Sequence, residues 1–150
     1  MATSTLGLGL ALPITSLALP AFATYYSLLS YRVTATRVAT DVFIGTKPDP
    51  KAKGLDPLTI AIRSHGNFNE YVPLALTLTA IAELNGANPT VIATALGSLF
   101  VIRVGHVELG LRGANALGRG RIIGFLGTLA YLVGMSGYAA WLARGYLGFD

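Results

Sequence analysis

The sequence predicts an all-α integral membrane protein that crosses the bilayer four times. Only 12% of the 150 residues are charged, whereas about 25% would be ordinary in a soluble domain. Four apolar stretches follow one another along the chain. Each is long enough to cross a bilayer, which takes about 20 helical residues. We therefore expect one membrane domain over residues 1–150.

The first span is predicted over residues 6–37. No charged residue precedes Arg32, and no helix breaker lies between Arg37 and Gly45. Residues 38–57 then read as a loop, because they are rich in proline, lysine and aspartate.

A secretory signal is the alternative interpretation of the N-terminal segment. Leu6–Leu12 has the character of an apolar signal core, and Ala21–Ala23 resembles a cleavage site. Two features favour a retained span: the positively charged region of a signal is missing, and Tyr25–Tyr31 continues an interfacial helical pattern.

The remaining spans are predicted over residues 58–84, 90–111 and 122–142. A tight turn, Asn85–Pro89, joins the second span to the third. Pro73 lies inside the second span, and we expect a kink there because proline removes a backbone donor.

Basic residues predict the orientation in the membrane. They concentrate in loops 38–57 and 112–121, and the turn between spans two and three has none. The loop cations are Lys47, Lys51, Lys53, Arg112, Arg119 and Arg121. By the positive-inside rule, both loops face the cytoplasm and both termini face the opposite side.

The second span carries an unusual polar segment, RSHGNFNEYVP. Arg63, Asn67 and Glu70 stand at i, i+4 and i+7, so they share one stripe of a helix. A charge near the bilayer centre costs about 2.5–3.5 kcal/mol on insertion scales. Two interpretations satisfy this cost: a binding site for a zwitterionic ligand, or an ion pair between Arg63 and Glu70 that only holds helices together.

The third span is polar near its end. Arg103 and His106 are three residues apart and share a face, whereas Glu108 is displaced from it. Arg103 is either a structural partner of Glu70 or Glu108, or a ligand contact. His106 alone is typical of a satisfied interior histidine.

Composition excludes several kinds of chemistry. The chain has no cysteine, which removes disulfides, thiolate metal sites and a cysteine nucleophile. Two histidines are too few for a histidine-rich metal centre, and we expect no metal site. No phosphate-binding loop or nucleic-acid motif occurs.

The motifs together resemble the MAPEG family, the membrane-associated proteins in eicosanoid and glutathione metabolism. The resemblance rests on R-x-x-x-N-x-x-E-Y-x-P in span two, R-x-x-H in span three and the arginine-containing loop before span four. It implies a four-helix bundle per subunit and a homotrimer. Glutathione would bind as cosubstrate between neighbouring subunits, near the cytoplasmic side.

The resemblance also implies roles for individual residues. Arg63 would bind a glutathione carboxylate. Asn67 would form hydrogen bonds with the glutathione amides, and Glu70 would bind the glutathione ammonium group. The implied glutathione-binding set is Arg37, Arg63, Asn67, Glu70, Tyr71, Arg103 and His106.

By this resemblance, Arg119 would stabilise the glutathione thiolate; it lies sixteen residues after Arg103. The spacing of ALGRGRIIG leaves Arg121 as the alternative.

Three positions depart from the pattern of the family. Gly110 replaces a tyrosine of several relatives, Gly66 replaces an arginine of one branch, and Ile123 replaces an aromatic residue of some active enzymes.

The implied function is a glutathione-dependent transferase or peroxidase, acting on lipophilic small molecules that arrive through the lipid bilayer. One alternative is a non-catalytic relative that binds lipid or serves as an accessory protein. Another is a channel or transporter subunit that uses the intramembrane charges as a pathway. The channel is disfavoured, because the polar groups cluster toward one leaflet rather than spanning the bilayer.

Overall fold

The computed structural model describes residues 11–47, 55–113, 116 and 118–148. Within these residues the chain is helical, and no strand occurs. The four long helices are α1 (Pro13–Thr40), α2 (Pro57–Leu84), α3 (Pro89–Gly105) and α4 (Arg119–Ala143). A π-helical turn, His106–Leu111, continues α3, and a 3-10 turn, Arg144–Leu147, follows α4. The all-α prediction is confirmed.

Local sequence fixes where α2 and α3 begin. Each starts on a proline, whose missing N–H group would lack a helical partner at this position anyway. The residue before each proline caps the helix. The Asp56 carboxylate accepts a hydrogen bond from the Thr59 amide at 2.9 Å, and the Asn88 side chain accepts one from the Thr90 amide at 2.9 Å.

Helix α1 is capped by a residue of α2 rather than by its own sequence. The Glu83 carboxylate accepts hydrogen bonds from the Ile14 amide at 2.8 Å and from the Thr15 amide at 2.9 Å. The helix runs unbroken through residues 21–23, and Phe22 is buried in the core. Residues 6–10 of the predicted span lie outside the described residues, and the retention of this segment stays a prediction.

The four helices pack as a bundle, and their shared core is apolar and aromatic. Phe22 meets Phe100 edge to face, with ring centroids 5.3 Å apart, and Tyr25 meets Phe68 at 5.5 Å. Helix α2 continues through Pro73 without interruption.

Two helical segments are apolar and long enough to cross a membrane. They are Pro89–Leu111 and Arg119–Tyr146, and large apolar side chains cover their outer faces, such as Val101 and Val133 with exposed fractions of 70% and 73%. Side chains of this kind in contact with water would be costly, so they belong against lipid or another subunit. These two segments favour a membrane protein, whereas membrane crossing by α1 and α2 and the orientation of the chain stay predictions.

Glycines let the π-helical turn and the start of α4 approach each other closely. A Cβ on Gly110 would lie 2.5 Å from the backbone nitrogen of Arg121, and one on Gly120 would lie 2.6 Å from the carbonyl oxygen of Gly105. Both distances are shorter than real Cβ contacts. Glycine at these positions thus sets the position of the first turn of α4.

Candidate functional site

A cavity of about 670 Å³ opens between α2, the π-helical turn and α4. Its polar wall gathers side chains that lie far apart in the sequence. They are Arg63, Asn67, Glu70 and Tyr71 from α2, His106 from the π-helical turn and Arg121 from the first turn of α4. Five of the seven predicted ligand-binding residues and the alternative thiolate residue therefore share one cavity.

The stripe on α2 faces this cavity as its spacing predicted. The side chains of Arg63 and Glu70 are exposed, and neither forms a salt bridge within the part of the chain that the structure describes. The alternative in which they pair with each other is thus not observed. A Cβ on Gly66 would lie 3.9 Å from Glu70 Oε1, an ordinary van der Waals contact.

His106 lines the cavity from the point where α3 passes into the π-helical turn. It is the first residue of the π-helical turn, and only 4% of its surface is exposed. A Cβ on Gly124 would overlap the His106 side chain. The wider turn and this glycine together accommodate the imidazole between α3 and α4; π-helical turns of this kind are frequent at functional sites.

The opposite wall of the cavity is apolar. Ile122, Phe125 and Leu126 of α4 line it, and all three are exposed in this chain. The cavity therefore offers charged groups on one side and hydrocarbon on the other. Ile123 is not part of this wall.

Arg103 lies behind the cavity rather than on its surface. It is 1% exposed and donates hydrogen bonds to Thr128 Oγ1 and to the Asn67 carbonyl oxygen, each at 3.1 Å. A third bond goes to Asn67 Oδ1. No salt bridge joins Arg103 to Glu70 or Glu108 among the described residues, so the alternative in which Arg103 pairs with a carboxylate is not observed.

Besides Arg103, two predicted residues lie outside the cavity of this chain. Arg37 donates hydrogen bonds to the carbonyl oxygens of Val42 at 3.0 Å and Gly45 at 3.2 Å, and it thereby holds the segment that follows α1. Arg119 is exposed at the first residue of α4. Side chains two positions apart on a helix point in directions about 200° apart. Arg119 therefore points away from the side that Arg121 occupies.

Sequence reasoning missed a polar cluster between α1 and the π-helical turn. Glu108 pairs with Arg32 at 2.5 Å and with Arg112 at 2.6 Å, and it accepts a hydrogen bond from the Tyr25 hydroxyl at 2.9 Å. The i, i+4 spacing of Glu108 and Arg112 could have revealed the second pair. No feature of the sequence predicted the contacts of Glu108 with Tyr25 and Arg32 of α1.

One comparison with known proteins found a match to a protein family. The model of the MAPEG family matches residues 15–141, which include every residue on the polar wall of the cavity. Searches of curated proteins and of solved structures gave no match. MAPEG proteins include glutathione transferases and peroxidases as well as non-enzymatic members.

The match covers most of the chain and nearly all of its four helices. It supports a role in glutathione-related or eicosanoid metabolism at the level of the family. The suspected resemblance is confirmed: this chain belongs to the MAPEG family.

Proposed function

We propose that the protein is a membrane-bound glutathione-dependent transferase or peroxidase. The observation that carries this proposal is the composition of the polar wall: guanidinium groups from Arg63 and Arg121, the carboxylate of Glu70 and the amide of Asn67 line one cavity. Glutathione carries two carboxylates, one ammonium group and two peptide amides. Its charges therefore find complementary partners in this wall.

The polar wall suggests how the tripeptide is oriented. Arg63 would hold a carboxylate through the paired donors of its guanidinium. Glu70 lies two turns further along the same helix and would bind the ammonium group. Because Arg63 and Glu70 form no ion pair in the described residues, neither charge has to be released before the ligand binds.

Arg121 is the residue that we propose for thiolate stabilisation, in place of Arg119. Arg121 is on the cavity wall, and Arg119 is not. A free thiol has a pKa of about 8.5, so it is mostly protonated at neutral pH. A guanidinium beside the sulfur would lower the pKa of the thiol and increase the fraction of the nucleophilic thiolate.

The apolar wall would receive the second substrate, a lipophilic small molecule. In a transferase reaction, sulfur forms a bond to an electrophilic carbon as the leaving group departs. In a peroxidase reaction, two glutathione thiols are oxidised to a disulfide, while the hydroperoxide is reduced to an alcohol and water. Both reactions need the charged and apolar walls side by side.

A homotrimer is part of this proposal. The exposed apolar residues of α4 beside the cavity are suited to contact with a neighbouring subunit. Arg37 is held away from the cavity of its own chain, so a contact between Arg37 and glutathione would require a neighbouring copy.

Ultraviolet absorbance of the thiolate tests the proposal. Glutathione is titrated into the detergent-purified protein, with Arg121→Ala and Arg119→Ala in parallel. We expect a saturable thiolate signal that Arg121→Ala abolishes and Arg119→Ala retains. Loss in Arg119→Ala alone would return the role to Arg119.

Calorimetry of the same samples separates the remaining outcomes. Glutathione binding without a thiolate signal would contradict an enzyme and indicate a non-catalytic member. The absence of both binding and signal would overturn the assignment to glutathione and favour the lipid-binding alternative.

A further inference from the structure

Arg103 is buried directly behind Asn67, and its hydrogen bonds show which way the Asn67 amide must face. Arg103 Nη2 donates both to the carbonyl oxygen of Asn67 at 3.1 Å and to its side chain. A guanidinium has five N–H donors and no acceptor. The side-chain atom of Asn67 that meets Arg103 is therefore the oxygen, because the NH₂ group would place donor against donor.

This arrangement determines what Asn67 presents to the cavity. With its oxygen held by Arg103, the NH₂ group of the planar amide points the other way, and Asn67 lines the cavity. No hydrogen bond of this NH₂ group occurs within the described residues. An asparagine without such a partner could rotate its amide and offer either a donor or an acceptor.

Arg103 is itself held in place from two other sides. Its Nη1 donates to Thr128 Oγ1 of α4 at 3.1 Å, and Thr128 is fully buried. The guanidinium carbon lies 5.4 Å from the centre of the Tyr71 ring, at the distance of a cation–π contact. A side chain fixed by α2 and α4 together cannot follow the Asn67 amide if that amide rotates.

We infer that Arg103 is a positioning residue that fixes the Asn67 amide with its NH₂ group toward the cavity. The ligand must therefore place a hydrogen-bond acceptor, a carbonyl or carboxylate oxygen, against Asn67. This inference rests on the proposed function in one respect, that glutathione is the ligand used to detect the effect.

Two substitutions of Asn67 test the inference. Asn67→Asp keeps an oxygen for Arg103 but replaces the cavity-facing donor with an acceptor. Asn67→Leu introduces a side chain of similar shape, and it removes both the amide oxygen and the NH₂ group without adding charge. We expect each to weaken glutathione binding, measured by calorimetry, by about tenfold or more, as for a lost hydrogen bond to a charged or strongly polar group.

The melting temperature in detergent provides a second readout that needs no ligand. Asn67→Asp should melt no lower than the wild type, because its carboxylate still accepts from the Arg103 guanidinium. Asn67→Leu should melt lower, because it leaves a buried Arg103 donor without a partner. Equal losses in both variants would overturn the proposed hold of Arg103 on Asn67.

Asn69→Asp is the matched control. It makes the same chemical change on the same helix, but Asn69 lies beside the groove between α1 and α2 and not on the cavity wall. We expect wild-type glutathione affinity in this variant. An equal loss here would attribute the effect of Asn67→Asp to added charge and contradict the inference.

The outcomes separate this inference from the proposed function. Undiminished glutathione affinity in Asn67→Asp would overturn the orientation of the amide and leave a glutathione protein. Failure of the wild type to bind glutathione would overturn the proposed function, and the melting temperatures of the two Asn67 variants would still decide whether Arg103 holds the Asn67 oxygen.

Discussion

The backbones of Gly110 and Arg121 are in direct contact, so the π-helical turn and the start of α4 form one packed unit. A Cβ on Gly110 would lie only 2.5 Å from the Arg121 nitrogen. Any side chain at position 110 would need a different position of α4. Glycine at this position is thus linked to the placement of Arg121 on the cavity wall.

Gly110→Ala tests this link. The added methyl group overlaps backbone atoms, which cannot move aside as a flexible side chain would, and overpacking of this kind typically costs about 1–3 kcal/mol. We expect a lower melting temperature in detergent and weaker glutathione binding, because Arg121 moves with α4.

Gly134→Ala is the control for that prediction. Gly134 lies in α4, the helix that Gly110 packs against, and a Cβ there meets nothing within 4 Å. We expect unchanged or slightly higher stability, because alanine favours a helix interior by about 0.5–1 kcal/mol over glycine. If Gly110→Ala behaves as Gly134→Ala does, the close packing is not required.

The helices and the stripe on α2 could be predicted from the sequence because both depend on local rules. Proline and its capping residue mark the starts of α2 and α3. The spacing of Arg63, Asn67 and Glu70 places them on one face whatever surrounds the helix. These three residues do line a common cavity.

The choice between Arg119 and Arg121 could not be made from the sequence. The choice depends on the residue at which α4 begins. Shifting the helix by one residue turns every side chain by about 100° about the helix axis. Around the π-helical turn a helical wheel does give the right sides. His106 lines the cavity and Glu108, two residues later, faces α1, as an angle of about 200° between them predicts.

The two charged residues of the α2 stripe should each contribute to ligand binding. We expect Arg63→Ala or Glu70→Ala to weaken glutathione binding by about 1–3 kcal/mol, because each removes one partner of a charge-assisted hydrogen bond. Calorimetry on the purified protein measures the change. Arg144→Ala is a suitable control, since Arg144 lies after α4 and outside the cavity. If a folded Arg63→Ala or Glu70→Ala protein binds glutathione with wild-type affinity, the assignment of the site is wrong.

The Glu108 cluster should support the fold rather than the ligand. Glu108→Gln removes the charge that pairs with Arg32 and Arg112, whose side chains are 30% and 46% exposed. Because such partly exposed pairs are weak individually, we expect the free energy of unfolding to fall by about 1 kcal/mol. Denaturation in mixed micelles measures this change, and high salt should reduce it by screening the pairs in the parent protein.

Asp41→Asn is the matched control for Glu108→Gln. Asp41 is exposed and forms no salt bridge in the described part of the chain. Its backbone is left-handed, with φ of 52°, a conformation that asparagine also tolerates. We therefore expect unchanged stability in Asp41→Asn and unchanged glutathione affinity in both variants. A large loss of affinity in Glu108→Gln would contradict a purely structural role, because it would show that the link from α1 to the π-helical turn also controls how His106 sits in the cavity.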